Sequence, residues 1–251
     1  MKNIATLSLP AFEVLWEDLR AGSIPHPFDV QSHGETIEER NRIKAAVHTD
    51  LERRNLARRG RPEPELEDAL MLLARPELRI VALGMPDKKT ETLLRASVVA
   101  RGSYAVLVQQ DEKSVSLNLV QDNALVPALV GLLPQMRPGP GKLVTLNVAA
   151  LKQQPEQQQG FRQTVRMTPN EDVRLFQQMM SNPPIGTGHF TVTLEQGRTK
   201  KNFPPVTWVD TEAGRYVNTP GRTPDWITVA PADNNGVARQ LAQVLSLTSQ
   251  R

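Results

Sequence analysis

Gly139, Pro140, Gly141 and Lys142 are the first residues with a suggestion of chemistry, because glycine amides ahead of a lysine are how a phosphate loop holds its anion. The spacing lacks the first glycine, and Leu143 stands where a serine or threonine belongs. Two prolines also remove amides that would cradle an anion, so the stretch reads as a turn linking two parts of the chain. Gly186 and Gly188 carry a weaker signal still. The four histidines, His26, His33, His48 and His189, have no second histidine at metal-ligand spacing. Ser32 beside His33 invites a hydrolase reading, but no nucleophile elbow surrounds the serine and neighbouring side chains on an extended chain point apart. With no cysteine, thiolate nucleophiles, disulfides and sulfur-ligated metals are excluded. The expectation is a protein that catalyses nothing, holds no cofactor or metal, and takes no small-molecule substrate.

The densest charge cluster is Arg53, Arg54, Arg58, Arg59 and Arg61. It is the best case for the alternative function, nucleic-acid binding. The preferred reading is a solvated cap that ends a helix, where cations favour the helix dipole, because Glu63, Glu65, Glu67 and Asp68 follow at once. Aromatic stacking partners are missing from the stretch. A net charge of +3 from 30 basic and 27 acidic residues also gives little long-range attraction to a polyanion. Glu13, Glu17 and Asp18 interrupt the amino terminus before any long apolar centre, so neither a signal peptide nor a membrane span is expected. A cytoplasmic location follows as the expectation.

The elements that would position these residues are read from periodicity. Phe12, Leu15, Trp16 and Leu19 recur at helical spacing behind Pro10, after a short strand at Ile4 to Leu9. Thr36 and Glu39 have capping-box spacing ahead of Ile43, Val47 and Leu51, and Pro64 opens a third helix through Leu66, Leu70 and Leu73 that Pro76 must stop. From Leu78 the pattern turns β-branched and alternating. Strands are expected at Arg79 to Met85, Leu93 to Ala100, Tyr104 to Gln109 and Val115 to Val120, with links too short for parallel crossovers. Val126, Leu129, Val130 and Leu133 then form the face of a helix starting at Asp122.

After the Pro/Gly break the plan recurs. Val144 to Val148 echoes Ala5 to Leu9, and Val115 to Leu133 is matched by Trp226 to Leu245, where Asp233 caps a helix facing inward through Val237, Leu241, Val244 and Leu245. The offset is about 139 residues at the first match and about 111 at the second, as for an ancient duplication with lost connections. Between these, Lys152 to Gly160 is Gln-rich and reads as a loop with nothing to add to a core. Thr168, Pro169 and Glu171 signal a further helix through Val173, Phe176 and Met180, before strands at His189 to Glu195 and Val206 to Val209 and a hairpin at Gly214.

Several stretches in order resemble the EspG family, chaperones of the ESX or type VII secretion systems of actinobacteria. They are Phe12 to Leu19; Pro25, Pro27, Ser32, His33, Gly34, Thr36, Glu39 and Arg40; Leu72 to Glu77; Gly188 to Phe190; Asp210, Thr211 and Gly214 to Tyr216; and Trp226 with Thr228 and Ala230 to Ala232. The resemblance implies one α+β domain over residues 1–251, with quasi-two-fold halves of about 1–138 and 139–251 and a central antiparallel sheet carrying helical bundles. It implies a cytosolic chaperone that binds the helical tip of a PPE protein in a PE/PPE heterodimer, or a related ESX substrate, and serves the ESX cytosolic ATPase indirectly. It also implies where the client sits: on the loop between the second and third strands of the sheet and on the carboxy-terminal helical bundle. Here that loop is Pro86, Asp87, Lys88, Lys89 and Thr90, and the bundle is the helices at Pro169 to Met180 and Asp233 to Ser246. Asn234, Asn235, Arg239, Gln240 and Gln243 lie off the apolar stripe of the last helix and are expected to bond to the partner.

Overall fold

Ser8 ends the first strand and starts the first helix: its side chain accepts the Ala11 amide at 3.3 Å, and Pro10 in the first turn needs no partner for a missing N–H. We describe the fold from a computed structural model, which covers residues 1–148, 171–197, 199–221, 223 and 225–248. It divides into two compact units, one of Met1–Gly84, Leu93–Leu132 and Phe190–Phe203, the other of Met85–Thr92, Leu133–His189 and Pro204–Arg251.

The first unit runs β1 (Lys2–Ser8), α1 (Leu9–Asp18), α2 (Ile37–Arg53), a small hairpin of β2 (Ala57–Arg58) and β3 (Arg61–Pro62), α3 (Pro64–Ala74), β4 (Leu78–Met85), β5 (Leu94–Arg101), β6 (Tyr104–Gln110), β7 (Ser114–Val120) and, after a 3-10 turn, α4 (Leu125–Val130). Its main strands pair in the order β1-β7-β6-β5-β4, antiparallel as the short links require. Phe12, Leu15 and Trp16 of α1 and Leu66, Leu70 and Leu73 of α3 bury against Val99, Val106, Val108, Val115 and Leu117 of the sheet. Each such large side chain contributes about 1.5–3 kcal/mol by leaving water. Phe12 and Trp16 stack with ring centroids 5.4 Å apart.

Helix α2 buries only Val47 and Leu51, so its attachment to α1 is largely electrostatic. One Glu13 oxygen accepts hydrogen bonds from the His33 amide (3.0 Å) and the Arg40 guanidinium (2.7 Å), and pairs with His33 Nδ1 (2.9 Å). Arg40 also pairs with Glu17, Lys44 bonds Glu17 at 2.8 Å, and His48 Nε2 meets Asp18 at 3.0 Å. Burial alone would raise the Glu13 carboxyl, yet the donors from Arg40 and His33 outweigh it and hold it down from 4.5 to about 2. Glu39 uses its carboxylate on the Glu35 amide while Thr36 accepts from Glu39, one residue away from a strict capping box.

The second unit runs β8 (Val144–Asn147), α5 (Glu171–Met179), β9 (Pro184–Gln196), β10 (Thr199–Asn202), β11 (Val206–Thr211), β12 (Gly214–Pro220), β13 (Trp226–Pro231) and α6 (Asn234–Ser246), with β9 beyond His189 and β10 counted in the first. Its strands pair in the order β8-β13-β12-β11-β9. In both orders the first strand stands at the edge beside the last, and a helix follows that last strand. Val144, Leu146, Met179, Tyr216 and Val229 form one core cluster.

Across the β11–β12 hairpin, Asp210 and Arg215 are paired positions and both are fully buried. Arg215 donates to both Asp210 oxygens (2.5 and 2.7 Å), to Asn234 Oδ1 (2.7 Å) and to the Pro134 carbonyl (3.1 Å). The expected helix at Asp122 is a 3-10 turn followed by six α-helical residues, and the expected strand from His189 starts earlier, at Pro184. The Gln-rich stretch Lys152 to Gly160 and the cap at Thr168 and Pro169 lie outside the described residues.

Two stability predictions follow from these charges. R215M strands a buried Asp210 carboxylate and is expected to cost about 3–5 kcal/mol in urea unfolding, whereas D210L/R215M, which leaves no stranded charge, costs less; equal losses would show that the pair is not the source. Because the Glu13 carboxyl sits below its ordinary value when folded, its contribution is full above about pH 4.5 and is lost as pH falls toward about 2. Urea midpoints measured across that window are expected to fall more steeply for the wild type than for Glu13→Gln, and parallel slopes would contradict the assignment.

Candidate functional site

The link from β4 to β5 is polar throughout Asp87 to Thr92, yet it is built rather than loose. Lys88 donates its amide to the Ile185 carbonyl of β9 at 2.7 Å. Asp87 Oδ1 accepts the Lys89 amide at 2.8 Å, and the Thr90 hydroxyl donates to the Asp87 carbonyl at 3.1 Å. Strand β9 comes close enough at Gly186 that a Cβ there would sit 2.2 Å from the Pro86 carbonyl oxygen, so only glycine fits. Pro86 and Asp87 are half-buried at the base, while Lys88, Lys89 and Thr90 are exposed.

Helix α6 begins where Asp233 accepts the Gly236 amide at 2.7 Å. Val237, Leu241 and Val244 face inward; Asn235, Arg239 and Gln243 are exposed, and Gln240 is half-buried. Asn234 is a correction to the expected surface set. Its carbonyl oxygen answers Arg215 and its amide donates to the Leu133 carbonyl at 3.3 Å, because the buried guanidinium takes the nearest side-chain acceptor in the first turn.

The sequence reading missed an open groove of about 740 Å³ beside α6. Gln240, Gln243 and Leu247 line one side, and Pro220, Trp226 and Thr228 line the other. Trp226 and Leu247 are each 42% exposed, which is unusual for side chains of that size. Two signals hinted at it: a tryptophan opening a strand next to the short edge strand β8, and a leucine just past the last helical turn. The loop and α6 stand on separate supports, the loop on β9 and the helix on β11 and β12.

The chemistry considered at other positions is used up in structure. The Gly139 amide donates to the Arg215 carbonyl at 3.0 Å, the Tyr216 hydroxyl donates to the Pro140 carbonyl at 3.1 Å, and Lys142 pairs with Glu171 at 3.3 Å. Ser32 and His33 both face Glu13 and do not make a nucleophile–base pair with each other. Among the described residues no three His, Asp or Glu side chains are grouped to hold a metal, and no helix is long and apolar enough to cross a membrane. The arginine run is not a helix cap over its whole length: Arg53 ends α2 and Arg54 caps it, while Arg58, Arg59 and Arg61 sit on the β2–β3 hairpin.

No curated protein matches the chain. Among solved structures it is similar to the Mycobacterium tuberculosis type VII secretion system chaperone EspG5, determined in complex with a PE25–PPE41 dimer, with a TM-score of 0.71 and 14% identity over 96% of this chain and 95% of that one. That likeness fixes the fold. The model of the EspG family matches residues 8–243, nearly the whole length. The chain belongs to the EspG family.

Proposed function

We propose that this protein is a cytosolic type VII secretion chaperone that binds the helical tip of a PPE protein in a PE/PPE heterodimer, keeps it soluble and passes it to the secretion machinery. The carrying observation is the family match over residues 8–243. The solved relative, EspG5, is held in complex with a PE25–PPE41 dimer, which supports a client of the same kind here. The groove beside α6 suits that client, because a helical tip brings apolar side chains and Trp226 and Leu247 offer apolar surface rimmed by Gln240 and Gln243.

In this reading the client touches Pro86 to Thr90, then Asn235, Arg239, Gln240 and Gln243, with Asn234 left to hold the helix in place. Lys88 and Lys89 supply steering charge, and Trp226 is the aromatic anchor that the client covers. The protein acts by shielding and performs no catalysis. The halves of about 1–138 and 139–251 are two copies of one plan within a single domain, which the matching strand orders support.

Titration calorimetry against a PE/PPE heterodimer tests this. Trp226→Ala is expected to weaken binding about thirtyfold, as for a central aromatic anchor, and K88E/K89E by about tenfold. Circular dichroism should stay unchanged in both, and so should the melting temperature of K88E/K89E, whose side chains are exposed, while Trp226→Ala loses only the stability of its covered part. Unchanged affinity in both variants would put the client elsewhere, and no binding by the wild type would overturn the reading.

A further inference from the structure

Arg58, Arg59 and Arg61 lie on a hairpin that is expensive to build from arginine. Strands β2 and β3 pair Ala57 with Pro62 and Arg58 directly with Arg61, so two like charges face each other across the ladder. The turn between them is Arg59–Gly60, with φ of 52° and 73°, a two-residue turn that favours asparagine at its first position. Arginine there pays left-handed strain with no hydrogen bond in return. The hairpin is nevertheless firmly rooted. Ala57 and Pro62 are buried, the Glu63 amide donates to the Leu56 carbonyl at 2.9 Å, and the Gly60 amide donates to Glu52 Oε1 at 3.2 Å.

Among the described residues, none of the three guanidiniums is paired with a carboxylate or a carbonyl, and all three side chains are exposed. The carboxylates nearest in sequence are engaged in part: Glu52 on Gly60 and Glu65 on Lys2, while Asp50 takes Arg53 and Arg54. Three unpaired forks on one rigid tip make a receptor for planar anions, since a guanidinium binds a carboxylate through two parallel hydrogen bonds. Helix α3 limits how far an anion can extend, because Glu63, Glu65, Glu67 and Asp68 follow directly after the tip. Those acids repel any long polyanion, so the anion that suits the tip is a short one. Between acidic protein segments and nucleic acid, the former is favoured because no aromatic residue lies between Arg53 and Asp68 to stack a base.

We propose that the β2–β3 hairpin is a docking point for a carboxylate-rich segment of another protein, held by Arg58, Arg59 and Arg61. This goes beyond the client-binding reading and does not depend on it. The test uses the full chain, with fluorescence anisotropy of a labelled octaglutamate peptide at low salt, beside an oligothymidylate of equal charge and phosphatidylserine vesicles. The wild type is expected to bind the peptide more tightly than either alternative, and binding should weaken as salt rises. R58S/R61S is expected to raise the peptide Kd about five- to tenfold, in line with losing two exposed ion pairs. Arg59→Asn carries the distinguishing signature: weaker peptide binding together with an equal or higher melting temperature, because the turn is relieved of strain. Absence of peptide binding, equal binding by the variants, or tighter binding to the oligothymidylate or the vesicles would each overturn the proposal.

Discussion

Burying the Arg215 guanidinium imposes the main constraint on the second unit. A charged group without solvent must find its partners within the protein, and here they come from three places: the paired strand (Asp210), the segment before β8 (Pro134) and the first turn of α6 (Asn234). The Arg215 backbone repeats the theme, since its amide donates to Arg137 and its carbonyl accepts from Gly139 and Ala232. One residue therefore ties the linker, the β11–β12 hairpin and the start of α6 together. The face that α6 turns outward, with Gln240 and Gln243 on the groove, depends on that tie.

The first unit uses charge differently. Its core is apolar where α1 and α3 meet the sheet, and the attachment of α2 relies on partly exposed pairs around Glu13, Glu17 and Asp18. Exposed pairs contribute little each, so the network matters mainly where one carboxylate collects several donors, as Glu13 does. Both units nonetheless share a strand order, which places the first strand at the edge beside the last strand in each.

Much of this was legible in the sequence wherever the signal was local. Pro10, Thr36, Pro64 and Asp233 mark helix starts by chemistry that acts within one turn, and the β-branched runs from Leu78 to Val120 appear as strands to within a residue or two. The partnership of Asp210 and Arg215 follows from the hairpin register once Thr211 and Gly214 are paired, but its burial does not, because burial depends on what packs above the hairpin. Asn234 lies off the apolar stripe and so read as a surface residue; only the tertiary position of Arg215 turns it inward. The β2–β3 hairpin was missed because strands of two residues leave no alternation to detect, and the Arg59–Gly60 turn lacks the usual asparagine. The groove needed the three-dimensional meeting of β12, β13 and α6, with Trp226 and Leu247 far apart in sequence.

The proposed client surface comprises the loop packed against Gly186 and the groove lined by Trp226, both in the second unit. Hydrogen–deuterium exchange of the whole chain, alone and with a PE/PPE heterodimer, tests that claim most directly. The account predicts that the client slows exchange in the backbone of residues 87–92, 226–228 and 239–247 while α1 and α2 are unchanged. Protection confined to α1, α2 or the β2–β3 hairpin, with those three segments unaffected, would contradict it.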